Sequence, residues 1–226
     1  MTAGPELTRL VLVLLPDGAS EAALGAAAGL ARAMGLELRA MLLEDERILS
    51  ASAHGFAAEL LPGAARPRRM ETARVEAEFG LLARRTERRL SALAGAGARP
   101  FALERVRGRV EAVLAARLER GDLPALVDPG GALDRALGAG ASLAAAVSRA
   151  GATLTLPDAP GPGAGAVVAL PADGADAGTC ALAARIAGGA GAPLELWARP
   201  AEAAALQRVA PPDALVRPAD TAALDD

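Results

Sequence analysis

In this 226-residue chain, the residues best suited to chemistry are glycines, carboxylates and arginines placed at the ends of apolar runs. Asp17-Gly18 closes the run Leu10 to Leu15. Gly130, Gly131, Gly140 and Ser142 follow a second run, Ala125 to Val127. These glycines read as a loop that leads to a helix near Ser142. Gly108 is bracketed by Arg105, Arg107 and Arg109. Alternate strand residues point the same way, so Arg105 and Arg107 can share a face and hold an anion; the other reading is a solvated strand end. Asp17 reads either as a carboxylate facing a ligand at a sheet edge or as a turn former and helix cap.

Other candidates are less specific. Glu44, Asp45 and Glu46 could hold a hard cation, but without further ligand spacing they read as a solvated loop. His54, the one histidine, has no nucleophile and partner acid at a readable spacing, which argues against a catalytic triad. Cys180 reads as a small buried hydrophobe. A single cysteine excludes an internal disulfide framework and a cysteine-based zinc site, and it fits a reducing compartment. With no lysine in the chain there is no P-loop, and no Gly-x-Gly-x-x-Gly follows a strand. The net charge of −3 gives no electrostatic case for nucleic acid. Leu10 to Leu15 is too short to span a bilayer and lacks a signal-peptide cleavage pattern, so a cytoplasmic protein is expected, without membrane contact.

These residues need a scaffold, and the pattern predicts one. Leu10 to Leu15 is a continuous apolar run, as in a buried parallel strand. A helix follows, N-capped by Ser20 and running to about Met34, with Leu24, Ala27, Ala28, Ala31 and Met34 on its apolar face and Gly35 as its C-cap. Glu37 to Leu43 is a second strand. Glu44 to Pro67 is an acidic-then-apolar excursion. A helix from about Met70 to Ala94 carries Val75, Phe79, Leu82, Leu90 and Leu93 as its stripe. Phe101 to Val106 is a third strand, and Gly108 opens a helix. Ala125 to Val127 is a fourth strand, Ser142 to Arg149 a helix, and Ala152 to Leu156 a fifth strand. Strands alternating with helices predict an α/β fold, an open parallel sheet with helices on both faces.

The chain then begins again. Asp17-Gly18 falls on Asp173-Gly174, Leu30 on Ile186, Gly35 on Gly191 and Leu38 on Leu194. So long an offset predicts a duplicated βαβ unit instead of a short-period solenoid. The expected organisation is an α/β domain over residues 8–157, a Pro/Gly linker over 158–165, a truncated second βαβ repeat over 166–217 and a tail over 218–226. A further helix is expected at Ala201 to Val209 and a strand at Ala214 to Val216.

The order strand, Asp-turn, helix, strand, long helical excursion, strand-Gly-helix, strand, glycine loop, helix, strand resembles the universal stress protein family, of the adenine nucleotide alpha hydrolase-like superfamily, in its tandem form. The resemblance is carried by Val11-Leu12-Val13 with Asp17-Gly18, Leu38 to Leu43 with Glu44-Asp45, Val106-Arg107-Gly108, Asp122-Leu123 and Gly140-Ala141-Ser142. It implies a Rossmann-like sheet and a nucleotide cleft formed by Asp17, Gly108, Gly130, Gly131, Gly140 and Ser142. Nucleotide-binding members carry Gly-x-x-Gly and, further on, Gly-Ser or Gly-Thr. Here Asp134 stands where the second glycine would be, and Pro129 removes a donor. The expected function is a non-enzymatic regulatory or protein-interaction module in the stress response, with a degenerate nucleotide loop and no metal. The alternatives are an ATP- or AMP-binding sensor, with weak binding, and a small hydrolase or transferase using the same cleft. The pyrophosphatase loop of the superfamily's catalytic branch is absent. The resemblance also implies a homodimer through the last strand, Ala152 to Leu156; the alternative is that the appended repeat occupies that edge and imitates a dimer within one chain.

Overall fold

The computed structural model describes residues 7–15, 21–59, 66–94, 101–119, 121–128, 154–157, 167–169, 177–198 and 200–218. Asp17, Ser20, Gly130, Gly131, Gly140, Ser142, the helix expected at 142–149, the linker 158–165, Asp173-Gly174 and residues 219–226 lie outside these. The described residues fall into two units, one built on a five-stranded sheet and one on a three-stranded sheet.

In the larger unit, β1 (Arg9–Leu14), β2 (Glu37–Asp45), β5 (Ala102–Gly108), β6 (Asp122–Asp128) and β7 (Leu154–Pro157) form the sheet in the order β5-β2-β1-β6-β7. Every pairing in it is parallel. This is the open parallel α/β architecture that the sequence predicts. β1 is central and its apolar run is buried on both faces, so residues Leu10 through Leu14 are all at most 1% exposed.

The pleat sorts the side chains. Val11, Val13, Met41, Leu43, Val106 and Leu126 form one core with Val113, Leu114 and Leu118 of the segment at and after α4 (Val110–Arg117). The opposite face carries Glu44, Arg105 and Arg107, and there α3 (Thr72–Ala94) reaches the sheet through Glu76. Helices therefore cover both faces.

α1 (Glu21–Met34) ends as expected. Gly35 has φ +68°, its N–H donates to the Arg32 carbonyl at 3.2 Å, and the Leu36 N–H donates to the Ala31 carbonyl at 2.8 Å. This is a Schellman cap, which needs a residue free to adopt positive φ. The buried face of α1 is Ala23, Leu24, Ala27, Leu30 and Ala31, about one position away from the expected stripe; Ala28 and Met34 are half-buried.

The excursion after β2 has structure of its own. α2 (Glu46–Ala53) is followed by a short antiparallel pair, β3 (Ala58–Glu59) with β4 (Arg68–Arg69). Leu49 of α2 packs with Val75 and Phe79 of α3 in a satellite core. The buried stripe of α3 is Val75, Phe79, Ala83, Thr86 and Leu90, whereas Leu82 and Leu93 are half-buried.

The smaller unit runs β8 (Val167–Ala169), α5 (Ala177–Ala190), β9 (Leu194–Ala198), α6 (Pro200–Val209) and β10 (Leu215–Pro218). Its sheet is parallel in the order β10-β9-β8. The last helix and strand stand within one or two residues of their expected ends, and Pro200 opens α6 where its missing N–H costs nothing. The core is made of small pieces: Cys180, Ala183 and Ala187 of α5 with Leu194, Leu196 and Leu206. α5 ends as α1 does. Gly191 has φ +62°, its N–H donates to the Gly188 carbonyl at 3.3 Å, and the Ala192 N–H donates to the Ala187 carbonyl at 3.0 Å.

Candidate functional site

In an open parallel sheet, ligands bind beyond the carboxyl ends of the strands, where the strand order reverses. Here the chain moves from β1 to β2 on one side, and β6 lies on the other side of β1, so the reversal falls between β1 and β6. These two strands pair from Arg9↔Asp122 to Val13↔Leu126. Because β1 and β6 are parallel neighbours, their C-terminal ends lie side by side on one edge of the sheet; in the sequence Asp17 comes after the first and Gly130 to Ser142 after the second, and both lie outside the described residues.

Gly108, the one described member of the expected cleft, ends β5, with β2 standing between β5 and β1. It is in register with Asp45 and has φ +155°. A Cβ there would lie 2.9 Å from Val113 Cγ2. The glycine turns the chain off the strand. The helix opens later than expected, at Val110, with Arg109 in extended conformation before it.

β2 runs two residues past its expected end because Glu44 and Asp45 stay in the ladder, opposite Arg107 and Gly108. Arg105 and Arg107 do share a face, and the anion they hold is internal. The Glu44 side chain is 5% exposed. Arg105 donates to its Oε1 from Nε at 2.7 Å and also from Nη2. Arg107 donates to its Oε2 at 3.2 Å from Nη2 and at 3.3 Å from Nε. Arg107 Nη2 also donates to Glu76 Oε1 at 3.2 Å. A buried carboxylate is stable when paired and hydrogen-bonded in this way.

The bond to Glu44 is the main reason the Arg107 guanidinium is held above its ordinary pKa, against a desolvation that lowers it. A group raised in the folded state keeps its contribution below its ordinary pKa and loses it only as the pH climbs past the folded value. For an arginine that range lies above neutrality, so this contribution is flat across neutral pH.

Asp45 has a different task. It is the N-cap of α2, accepting the Arg47 N–H at 2.8 Å, and its Oδ2 accepts from Arg47 Nη2 at 2.9 Å. Glu44 and Asp45 are both engaged by arginines, which accounts for the acidic cluster without a cation. Among the described residues no group of three or more His, Cys, Asp or Glu side chains is placed to hold a metal. His54 stacks on Phe56, with ring centroids 5.4 Å apart, and Cys180 is 1% exposed.

Glu76 and the Glu44–arginine link escape a reading of sequence alone. The alternation Arg105-x-Arg107 was the available signal, but their partner lies 61 residues away in the chain for Arg105 and is set by strand register. Glu44→Gln keeps the size and removes the charge. It is expected to lower unfolding free energy by about 1–2 kcal/mol, from weakened charge-assisted bonds, as measured by urea denaturation.

Strand order, register and the two neighbouring strand ends define an open parallel α/β protein with its candidate cleft at the carboxyl edge. Among solved structures, the chain is similar to a universal stress protein in complex with cAMP. The identity is 16% and the TM-score 0.37, over 70% of this chain and 100% of that one. No protein-family description and no curated protein matches the chain. No described helix is long and apolar enough to cross a membrane.

Proposed function

We propose that this chain is a non-enzymatic regulatory or protein-interaction module of universal-stress-protein type, with a degenerate nucleotide loop and a shortened second copy of its opening βαβ unit. The observation that carries the reading is the pairing of β1 with β6. It supports a common cleft for the Asp17 turn and the glycine stretch, where an adenine nucleotide would sit. The composition of that stretch supports weak binding only. In the sequence Asp134 stands where nucleotide-binding members of the family carry a glycine, adding a negative charge to the stretch, and Pro129 has no N–H to donate. Among the described groups near that edge, Glu44, Arg105 and Arg107 satisfy one another, which supports a structural role for them over an acid–base one. The matching Schellman ends of α1 and α5 support the second copy.

Titration calorimetry with ATP, AMP and cAMP tests the reading. The expected result is no dissociation constant in the micromolar range and no ATP turnover. A micromolar constant abolished by Asp17→Ala and Ser142→Ala would overturn it in favour of an adenine-nucleotide sensor. That alternative rests on the same adjacency of strand ends. Turnover of ATP lost in those variants would establish instead a hydrolase or transferase in the cleft.

A further inference from the structure

We propose that the groove between the first turn of α1 and the C-terminal half of α3 binds a small molecule carrying two or more phosphate groups. The groove has a volume of about 520 Å³ and is lined by Glu21, Arg85, Arg88, Arg89, Ala92 and Leu93. None of these belongs to the cleft discussed above.

Arg85, Arg88 and Arg89 stand at i, i+3 and i+4, on one face of α3, where like charges repel. The two halves of the helix treat their arginines differently. In the N-terminal half Arg74 pairs with Glu59 and Glu78. In the C-terminal half, among the described residues, none of the three groove guanidiniums is paired with a carboxylate; Arg88 Nε donates to the Arg84 carbonyl at 3.3 Å. A chain of net charge −3 thus keeps a local surplus of positive charge along one concave surface.

The chemistry of the lining selects the ligand. Guanidinium forks match phosphate oxygens in shape and charge better than any other side chain does. Among the described lining residues three cations stand against one carboxylate, Glu21, which favours an anion carrying more than one charge. The volume falls in the range of small-molecule sites. Ala92 and Leu93 give the groove an apolar wall.

The test is calorimetry on the full chain at low ionic strength, with inorganic tripolyphosphate as the probe. Tripolyphosphate is expected to bind, and binding is expected to weaken as salt is added. Replacing two of the three cations, in Arg85→Gln with Arg89→Gln, is expected to weaken binding by roughly tenfold or more. Glu21→Gln is expected to tighten it roughly two- to threefold. Arg208→Gln, an exposed arginine of α6, is expected to leave it unchanged. These are exposed or half-exposed helical positions where glutamine is tolerated, and circular dichroism checks the fold. If the double variant does not fold, Arg88→Gln alone takes its place, with a loss of roughly threefold expected. Absence of tripolyphosphate binding overturns the proposal. So does a loss in Arg208→Gln equal to that of the groove variants, because it would mean general charge attraction.

Discussion

Asp122→Ala is expected to destabilise the fold by about 3 kcal/mol in urea denaturation, more than any other polar substitution considered above. The Asp122 side chain is fully buried at the start of β6. One carboxylate oxygen accepts from Arg9 Nε at 2.8 Å, and the other accepts the backbone N–H of Glu119 at 2.8 Å. It therefore ties the first residue of β1 to the first residue of β6 and closes the turn that leads into β6. Alanine would leave the Glu119 N–H without its acceptor and take away the buried partner of a guanidinium that is itself only 23% exposed.

Arg9 also donates to Glu119 Oε2 at 2.6 Å, and that bond does most to hold its guanidinium above its ordinary pKa, with Asp122 adding to it. The ranking for stability is the reverse. Glu119 is 66% exposed, so water screens its pairing. Glu119→Ala is expected to cost less than about 0.5 kcal/mol under the same conditions. Equal losses in the two variants would refute this assignment.

Gly108→Ala is the second large effect, at about 2–3 kcal/mol. Two costs combine. Any L side chain is strained at φ +155°, and the new Cβ would stand 2.9 Å from Val113 Cγ2. A double-mutant cycle separates them. Combined with Val113→Ala, which removes the methyl in the way, the glycine substitution is expected to recover about 1 kcal/mol while the backbone strain persists. Strict additivity would show that the contact plays no part. Because Gly108 pairs with Asp45, the N-cap of α2, the same variant is expected to loosen the start of α2.

The parallel sheet was legible because β1 is a continuous apolar run and the helix after it carries both a small-residue face and a glycine stop. The end of α1 at Gly35 illustrates how far local signals reach: positive φ leaves few alternatives to glycine. α2 was harder to read. It is short, and Asp45, its cap, stands in an acidic cluster that also suits a loop. The stripe of α3 was read one step off because Ala83 and Thr86 fill buried positions. A pattern weighted by leucine looks past small residues that a close helix–sheet contact prefers. The Glu44 network could not be read at all. Its members come from β2, α3 and β5, and only register brings them together. Of the candidate cleft, the sequence supplied the residues, and the strand order sets the described ends of β1 and β6 side by side.

The placement of Cys180 has one more consequence. The chain's single thiol lies at 1% exposure inside a core built largely of alanine and leucine. Oxidants need contact with the sulfur, and the folded three-stranded unit withholds it. Oxidative damage at this position must therefore begin with chains whose smaller unit has already come apart. Since a sulfinic or sulfonic acid cannot return to so apolar a seat, such chains would be barred from refolding.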